Sequence, residues 1–395
     1  MSVAERDSGQ PRRIYLDNAA TTHVAPEVFD AMVPYLTHSC GNASSLHASG
    51  AHAREAVELA RDSVARLIRC DPEELYFTSG GTESDNWALL GAAMAAGTGF
   101  PRVAVSSVEH HAVLHTAESL EAHGYALDRL PVDTHGVLNR DAFDATLCSE
   151  MAIVSVMHAN NETGVIQPLP YLAEACRARG VLLHTDAVQS AGHVPIDLNK
   201  VSVDLLSMSA HKMRGPKGVG ALYVRRGVHL NPLLSGGGQE RGRRSGTLNV
   251  PGIVGFGAAA RLAAATMDTE AIRLARLRDR LIEGVCREVP DAVAPGLGAE
   301  RLPGHALILF PRVEGEALLL GLDEAGIDVS AGSACAAGAV EPSHVLIAMG
   351  VPRDLARTAV RFTLGAETTD DEIERTIRVV GAEARSMRCP TNLRL

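Results

Sequence analysis

Three short segments of this sequence place a lysine, an aspartate and a glycine-led threonine just after apolar runs. Lys212 follows VDLLSMS, with Ser209 and His211 beside it and a Gly/Pro-rich turn after it. A lysine among buried neighbours has a lowered amine pKa and forms Schiff bases, although a solvated lysine is the commoner case. Asp186 stands just past the apolar run in LLHTDAVQS. A carboxylate buried there needs a partner such as a protonated heterocyclic nitrogen; capping the next helix is the simpler alternative. In FTSGGTESDN, from Phe77, two glycines lead into a helix opened by Thr82, with Asp85 three residues on in a capping-box pattern. The free backbone N–H groups of such a helix start suit a phosphate, the alternative being an ordinary strand-to-helix turn. Together the segments supply the fixtures that grip pyridoxal phosphate by its phosphate, its pyridine nitrogen and its aldehyde.

The elements that must position these residues are legible as a βα alternation. Runs from Arg102, Met151, Gly180, Val203 and Gly220 read as strands. Several are apolar at nearly every position, as strands of a parallel sheet covered on both faces are. Helices are predicted over Ala51–Ile68, Thr82–Ala96, Ala112–His123, Leu169–Arg179 and Asp268–Glu288, the last rich in Arg and Glu and exposed. Beyond it, strands from His305 and Val360 with helices over Glu314–Glu324 and Thr369–Ala384 suit a smaller α+β domain, with a boundary near residues 263–268. Two long Gly-rich stretches, from Leu233 and from Ser330, read as functional loops.

The 395 residues carry 37 Lys+Arg against 47 Asp+Glu, a net charge of −10, which disfavours nucleic acid as a main partner. The polar N-terminus and the lack of an 18-residue apolar stretch point to neither export nor a membrane span, so the expected compartment is the cytoplasm. Seven cysteines without a C-x-x-C pair read as thiols, with neither a disulfide frame nor a zinc knuckle. The N-x-[ST] matches at Asn42 and Asn161 are then chance matches. His111 and His115 have i, i+4 spacing, yet no third ligand or HExxH glutamate accompanies them, and no metal is expected.

The sequence resembles the pyridoxal-phosphate cysteine desulfurases of the NifS/IscS type, within the fold-type I, class V aminotransferase group. The likeness runs from about Arg13 to Ala384. It is carried by YLDNAATT from Tyr15, GNASSLH from Gly41, FTSGGTESDN, VEHHAVL from Val108, HANNETG from His158, HTDAVQS, SAHKMRGPKG, GGGQERGRRSGT from Gly236, GSACAAG from Gly332, EPSHVLIAMG and VRFTLG. The resemblance implies an α/β fold with a mainly parallel seven-stranded sheet, and a homodimer. It implies a division into an N-terminal segment (1–24) packing with the small domain, a large cofactor domain (25–264) and a small domain (265–395) carrying the Cys335 loop.

Position by position, Lys212 corresponds to the Schiff-base lysine and Asp186 to the aspartate that keeps the pyridine nitrogen protonated. Thr82, Ser209 and His211 correspond to phosphate ligands, with Gly81 beside them, and Thr247 to a residue reaching the phosphate from the other subunit. Gln189 and Asn161 match residues around the phenolic oxygen and the substrate, and His110 the histidine stacked over the ring. Arg361 matches the arginine that pairs with the substrate carboxylate. Cys335 matches the cysteine that takes sulfur from L-cysteine as a persulfide and hands it to an acceptor protein, for iron–sulfur clusters or other thio-products. Ala210, Ala331 and Ala336 depart from the usual Gly and Ser/Thr, and the tail RCPTNLRL is shorter than the extension with which some relatives dock a scaffold. A selenocysteine lyase, a C–S lyase or an aminotransferase of the same class is the alternative; a non-catalytic sulfur carrier is disfavoured by Lys212, Asp186 and Thr82 together.

Overall fold

In the computed structural model, which describes residues 12–99, 101–332 and 342–388, strands and helices alternate from residue 75 to residue 186, and two further strands follow. The chain begins with β1 (Ile14–Tyr15), α1 (Pro26–Thr37), α2 (Ala48–Ile68), β2 (Leu75–Thr78), α3 (Gly81–Ala96), β3 (Arg102–Ser106) and α4 (His111–Ala122). It continues through β4 (Ala126–Leu130), α5 (Arg140–Thr146), β5 (Met151–Ser155), α6 (Leu169–Ala178), β6 (Leu182–Asp186), β7 (Leu205–Ser209) and β8 (Gly220–Val224). Then come α7 (Val250–Glu288), β9 (His305–Leu309), α8 (Gly315–Glu324), β10 (Ile327–Asp328) and β11 (Ser330–Ala331), followed by α9 (His344–Ala348), α10 (Arg353–Ala356), β12 (Ala359–Thr363) and α11 (Asp370–Arg388).

The expected seven-stranded sheet is present, in the order β2-β8-β7-β6-β5-β3-β4. Strand β8 runs antiparallel to both its neighbours and the remaining pairs are parallel. Strands β5, β7 and β8 are buried along their whole length, which is why their sequences are apolar without alternation. Edge strand β4 (ALDRL) escapes a sequence reading because it is half exposed and polar, its Asp128 pairing with Arg102 of β3 at 2.7 Å.

Helix α7 starts at Val250, earlier than the expected Asp268, and runs unbroken for 39 residues through the expected boundary. Its first half is Ala/Gly-rich and buried nearly all round, so it has no amphipathic stripe to announce it. An 18-residue window of this helix is apolar enough to match a membrane span by composition, contrary to the sequence expectation; more than half of it packs inside the fold, against α1 and α2. Ile253 to Ala263 belong to the core under the large sheet, and Leu274 to Val285 to a second core. That second core lies between α7, α8, α11 and the antiparallel sheet β11-β12-β9. Residues 14–17 join this second unit: β1 pairs with β10, and Asp17 bridges to Thr363.

Candidate active site

The C-terminal ends of β6 and β7 open on a cavity of about 310 Å³, closed on one side by β12 of the second unit. Gly81, Thr82, His110, Asn161, Asp186, Gln189, Ser209, His211, Lys212 and Arg361 all line it. Of the expected residues, Thr247 lies exposed outside this cavity, and Cys335 falls outside the described residues.

Asp186 is the last residue of β6 and Ser209 the last of β7, so chain direction alone aims both into the crevice where an open α/β sheet takes its ligand. Lys212 ends a short turn after β7, and its Nζ donates to the carbonyls of Ala20, at 2.9 Å, and Ala19. The segment around those alanines is tied down by Gln189 Nε2, which donates to Ala19 O at 3.0 Å, and by Thr22, whose N–H and hydroxyl donate to His211 O. Burial pushes the Asp186 carboxyl up to about 6, opposed by the Val188 N–H at 2.8 Å and the charge of Lys212. A cationic ring nitrogen set against this carboxylate would restore its ionised form.

At the start of α3 no side chain caps the helix, contrary to the capping-box reading: Asp85 points into the interior, 1% exposed. Glu83 instead turns back to accept the Ser79 N–H at 2.8 Å. The uncapped turn at Gly81 and Thr82 is thus left facing the cavity beside Ser209 and His211, an arrangement suited to phosphate. A Cβ on Gly81 would come within 2.6 Å of Val188 Cγ2, so this close approach requires glycine. These features fit pyridoxal phosphate: an uncapped helix start and two side chains for its phosphate, a buried carboxyl for its nitrogen, an amine for its aldehyde.

His110 accepts the Ala112 N–H on Nδ1 at 3.1 Å. Burial, reinforced by the Lys212 charge and nearby histidines, pushes it down to about 4, so at neutral pH the ring is uncharged with its proton on Nε2. It is therefore built to donate. Arg361, in β12, is 2% exposed; Nη1 donates to Asn161 O at 2.9 Å and Nη2 to Asp17 Oδ1 at 3.0 Å. Its buried Nε has no partner among the described residues.

Several contributors were not among the site residues expected from the sequence. Asp17 orients Arg361; Asp85 lines the cavity, with its carboxyl raised by burial and by Asp186. Glu109, beneath, accepts Ser106 Oγ at 2.6 Å and the Met157 N–H at 2.7 Å. Each neighbours a motif residue, but only burial distinguishes it from a surface acid. The basic cluster in the Gly-rich loop is engaged internally: Arg241 and Arg243 lie over the Tyr76 ring and Arg244 pairs with Glu83 at 2.7 Å. Burial pushes the thiols of Cys70 and Cys176 up to about 12, whereas Cys40 is exposed.

A family model described as "Aminotransferase class-V" matches residues 14–376. The chain is 45% identical over 384 residues to the cysteine desulfurase IscS of Methanosarcina thermophila, covering 97% of this chain and 95% of that one. It is 46% identical over 369 residues to the cysteine desulfurase IscS of Dictyoglomus turgidum, covering 93% and 94%. Among solved structures, a "NIFS-LIKE PROTEIN" superposes with a TM-score of 0.89 at 37% identity, over 94% of this chain and 98% of that one. "SspA in complex with cysteine" gives a TM-score of 0.79 at 32% identity, over 89% and 98%.

Proposed function

Because this chain belongs to the class-V aminotransferase family and is a pyridoxal-phosphate-dependent cysteine desulfurase, we propose how the residues of its cavity share that reaction. L-Cysteine and an enzyme thiol give L-alanine and an enzyme persulfide: the sulfur leaves Cβ for the thiol sulfur and a proton takes its place on carbon. When bound, pyridoxal phosphate supplies the electron sink that acidifies the Cα proton and loosens the Cβ–S bond.

Gly81, Thr82, Ser209 and His211 would hold the cofactor phosphate, Asp186 its ring nitrogen, and Gln189 and Asn161 the region of its phenolic oxygen. Lys212 would hold the cofactor aldehyde, and its Nζ is placed to act as the base for the Cα proton. Arg361, preset by Asp17 and Asn161 O, receives the substrate carboxylate, which fixes where Cβ and sulfur lie. His110 would lie against the cofactor ring, and its Nε2 carries a proton to give to the departing fragment. Cys335 accepts the sulfur and passes it to an acceptor protein of iron–sulfur or other thio-product assembly in the cytoplasm. Thr247 would serve the phosphate of a second copy in a homodimer; supporting this, it is exposed, as are Leu233 and Leu234 earlier in the same Gly-rich loop.

One observation carries these assignments: Lys212, Asp186 and Arg361, from three separate strands or turns and two structural units, line one cavity. The test is incubation with L-cysteine. The parent is expected to release alanine and to carry a persulfide on Cys335, while Cys335→Ala loses the persulfide and keeps the visible absorbance of the cofactor. Turnover of Cys335→Ala at the parental rate would remove that thiol from the mechanism.

A further inference from the structure

Beside the carboxyl assigned to the ring nitrogen lies a second one that the chemistry above does not use. Asp85, early in α3, is 1% exposed and lines the same cavity as Asp186. His184 and Asp186 stand two residues apart in β6 and so share one face of the sheet. On that face Asp85 Oδ1 comes within 3.6 Å of His184 Nε2, yet it has no hydrogen-bond partner among the described residues. A bare carboxylate oxygen in such a place is costly, whereas a carboxylic acid needs only an acceptor.

The polar groups around Asp85 already direct their protons toward it. Ser155 Oγ meets His184 Nδ1 at 2.8 Å, and His184 Nε2 meets Ser207 Oγ at 3.0 Å. Burial pushes His184 down to about 3, so the ring is neutral and carries one proton. The Ser207 hydroxyl bonds to Asp85 and favours its ionised form, so the ring proton sits on Nε2 toward Ser207 and the Ser155 hydroxyl donates to Nδ1. Against that one bond, burial and then the charge of Asp186 push the Asp85 carboxyl well above the usual carboxylate range, with a smaller push from Glu109, the other buried acid that faces it. Two carboxyls so placed do not both ionise. Of the two, the Asp186 carboxylate is the better supported, by the Val188 N–H at 2.8 Å and by the charge of Lys212.

Resting on the assignment of Asp186 to the ring nitrogen, we propose that Asp85 is a positioning residue for Asp186: it stays a neutral acid and donates its proton in a hydrogen bond to the Asp186 carboxylate. That bond holds the carboxylate ionised and facing the ring nitrogen. The pair then carries a single negative charge, matched to a single cationic nitrogen.

The test compares the parent with Asp85→Asn, which keeps an N–H donor of the same shape and cannot ionise, and with Asp85→Ala, which has no donor. Infrared spectra of the cofactor-free proteins near neutral pH are expected to show a protonated-carboxyl band in the parent that Asp85→Asn loses. Pyridoxal phosphate is then titrated across the acid to neutral range and its binding followed by visible absorbance. Asp85→Asn should bind it within about twofold of the parent, since its donor remains. In Asp85→Ala the Kd should rise about tenfold or more, and the acid limb of binding should move up by about one pH unit, because a hydrogen bond to the ionised form has gone. An infrared band unchanged in Asp85→Asn overturns the proposal, as does Asp85→Asn binding as poorly as Asp85→Ala, or Asp85→Ala binding like the parent. The band and Asp85→Asn decide the matter even where Asp85→Ala does not fold. A parent that binds the cofactor without showing the band overturns the proposal alone; a parent that shows the band without binding the cofactor overturns the reading of Asp186, and the role given to Asp85 with it.

Discussion

Arg361 and Asp17 form an ion pair of 3.0 Å between β12 and the segment that follows β1, positions separated by most of the chain. The aspartate holds one edge of the guanidinium and the Asn161 carbonyl another, so the group that should receive a carboxylate cannot rotate freely. Replacing Arg361 by lysine removes the planar fork and leaves both partners underused. The expected result is a KM for L-cysteine raised about 10- to 100-fold, on the scale of about 1.5–3 kcal/mol for a charge-assisted hydrogen bond, with cofactor absorbance retained. Steady-state kinetics and a visible spectrum check both parts.

Lys212 is expected to be the sole site at which borohydride fixes the cofactor. Peptide mapping of the reduced protein should place the label on this residue, and Lys212→Ala should lose both the label and at least about a hundredfold in alanine formation, the usual contribution of a positioned base. A label on a different lysine would move the active centre elsewhere.

Glu109 makes stability depend on pH. Burial pushes its carboxyl up from 4.5 to about 8, against the Ser106 and Met157 bonds that pull it down. In the unfolded chain the group ionises near 4.5, whereas in the folded protein it stays protonated until about pH 8, so its contribution to stability falls as pH rises between those values. Glu109→Gln keeps an acceptor for Ser106 and Met157 but cannot ionise. Urea unfolding should show the variant gaining on the parent from pH 5 to pH 8, at a slope of at most about 1.4 kcal/mol per pH unit. A difference that stays constant with pH would refute this.

Arg61 and Glu240 form a nearly solvent-free pair at 2.8 Å, and Glu240 also accepts the Phe77 N–H at 2.7 Å. This contact anchors the Gly-rich loop that leads to Thr247, although Glu240 and Arg241 both sit at positive φ, 47° and 56°. Glu240→Ala would leave Arg61 buried without this partner and the strained backbone in place. A loss of about 3–5 kcal/mol is expected by chemical denaturation. Substituting both partners with apolar residues of similar size should cost much less.

The runs at β3, β5, β7 and β8 were legible because strands covered on both faces are written in consecutive apolar residues. Edge strand β4 and the first half of α7 were not, the one being polar and half exposed, the other apolar on every side. Of the site, Lys212, Asp186 and Thr82 were readable because each stands at the end of an apolar run. Asp85 was misread as a cap: its spacing allowed one, and only packing decided that it turns inward.

By itself, then, the order of residues determined the chemistry on offer, an amine, a carboxylate and a helix start at successive strand ends, because local pattern dictates where strands stop and helices begin. Tertiary structure alone decided which distant groups face one another. Asp17 meets Arg361, Glu240 meets Arg61, and Ser343 meets Glu162 across separations of 344, 179 and 181 residues. The physical reason is that a carboxyl's partner, and the degree to which water is kept from it, follow from packing between segments and leave no periodicity in the chain.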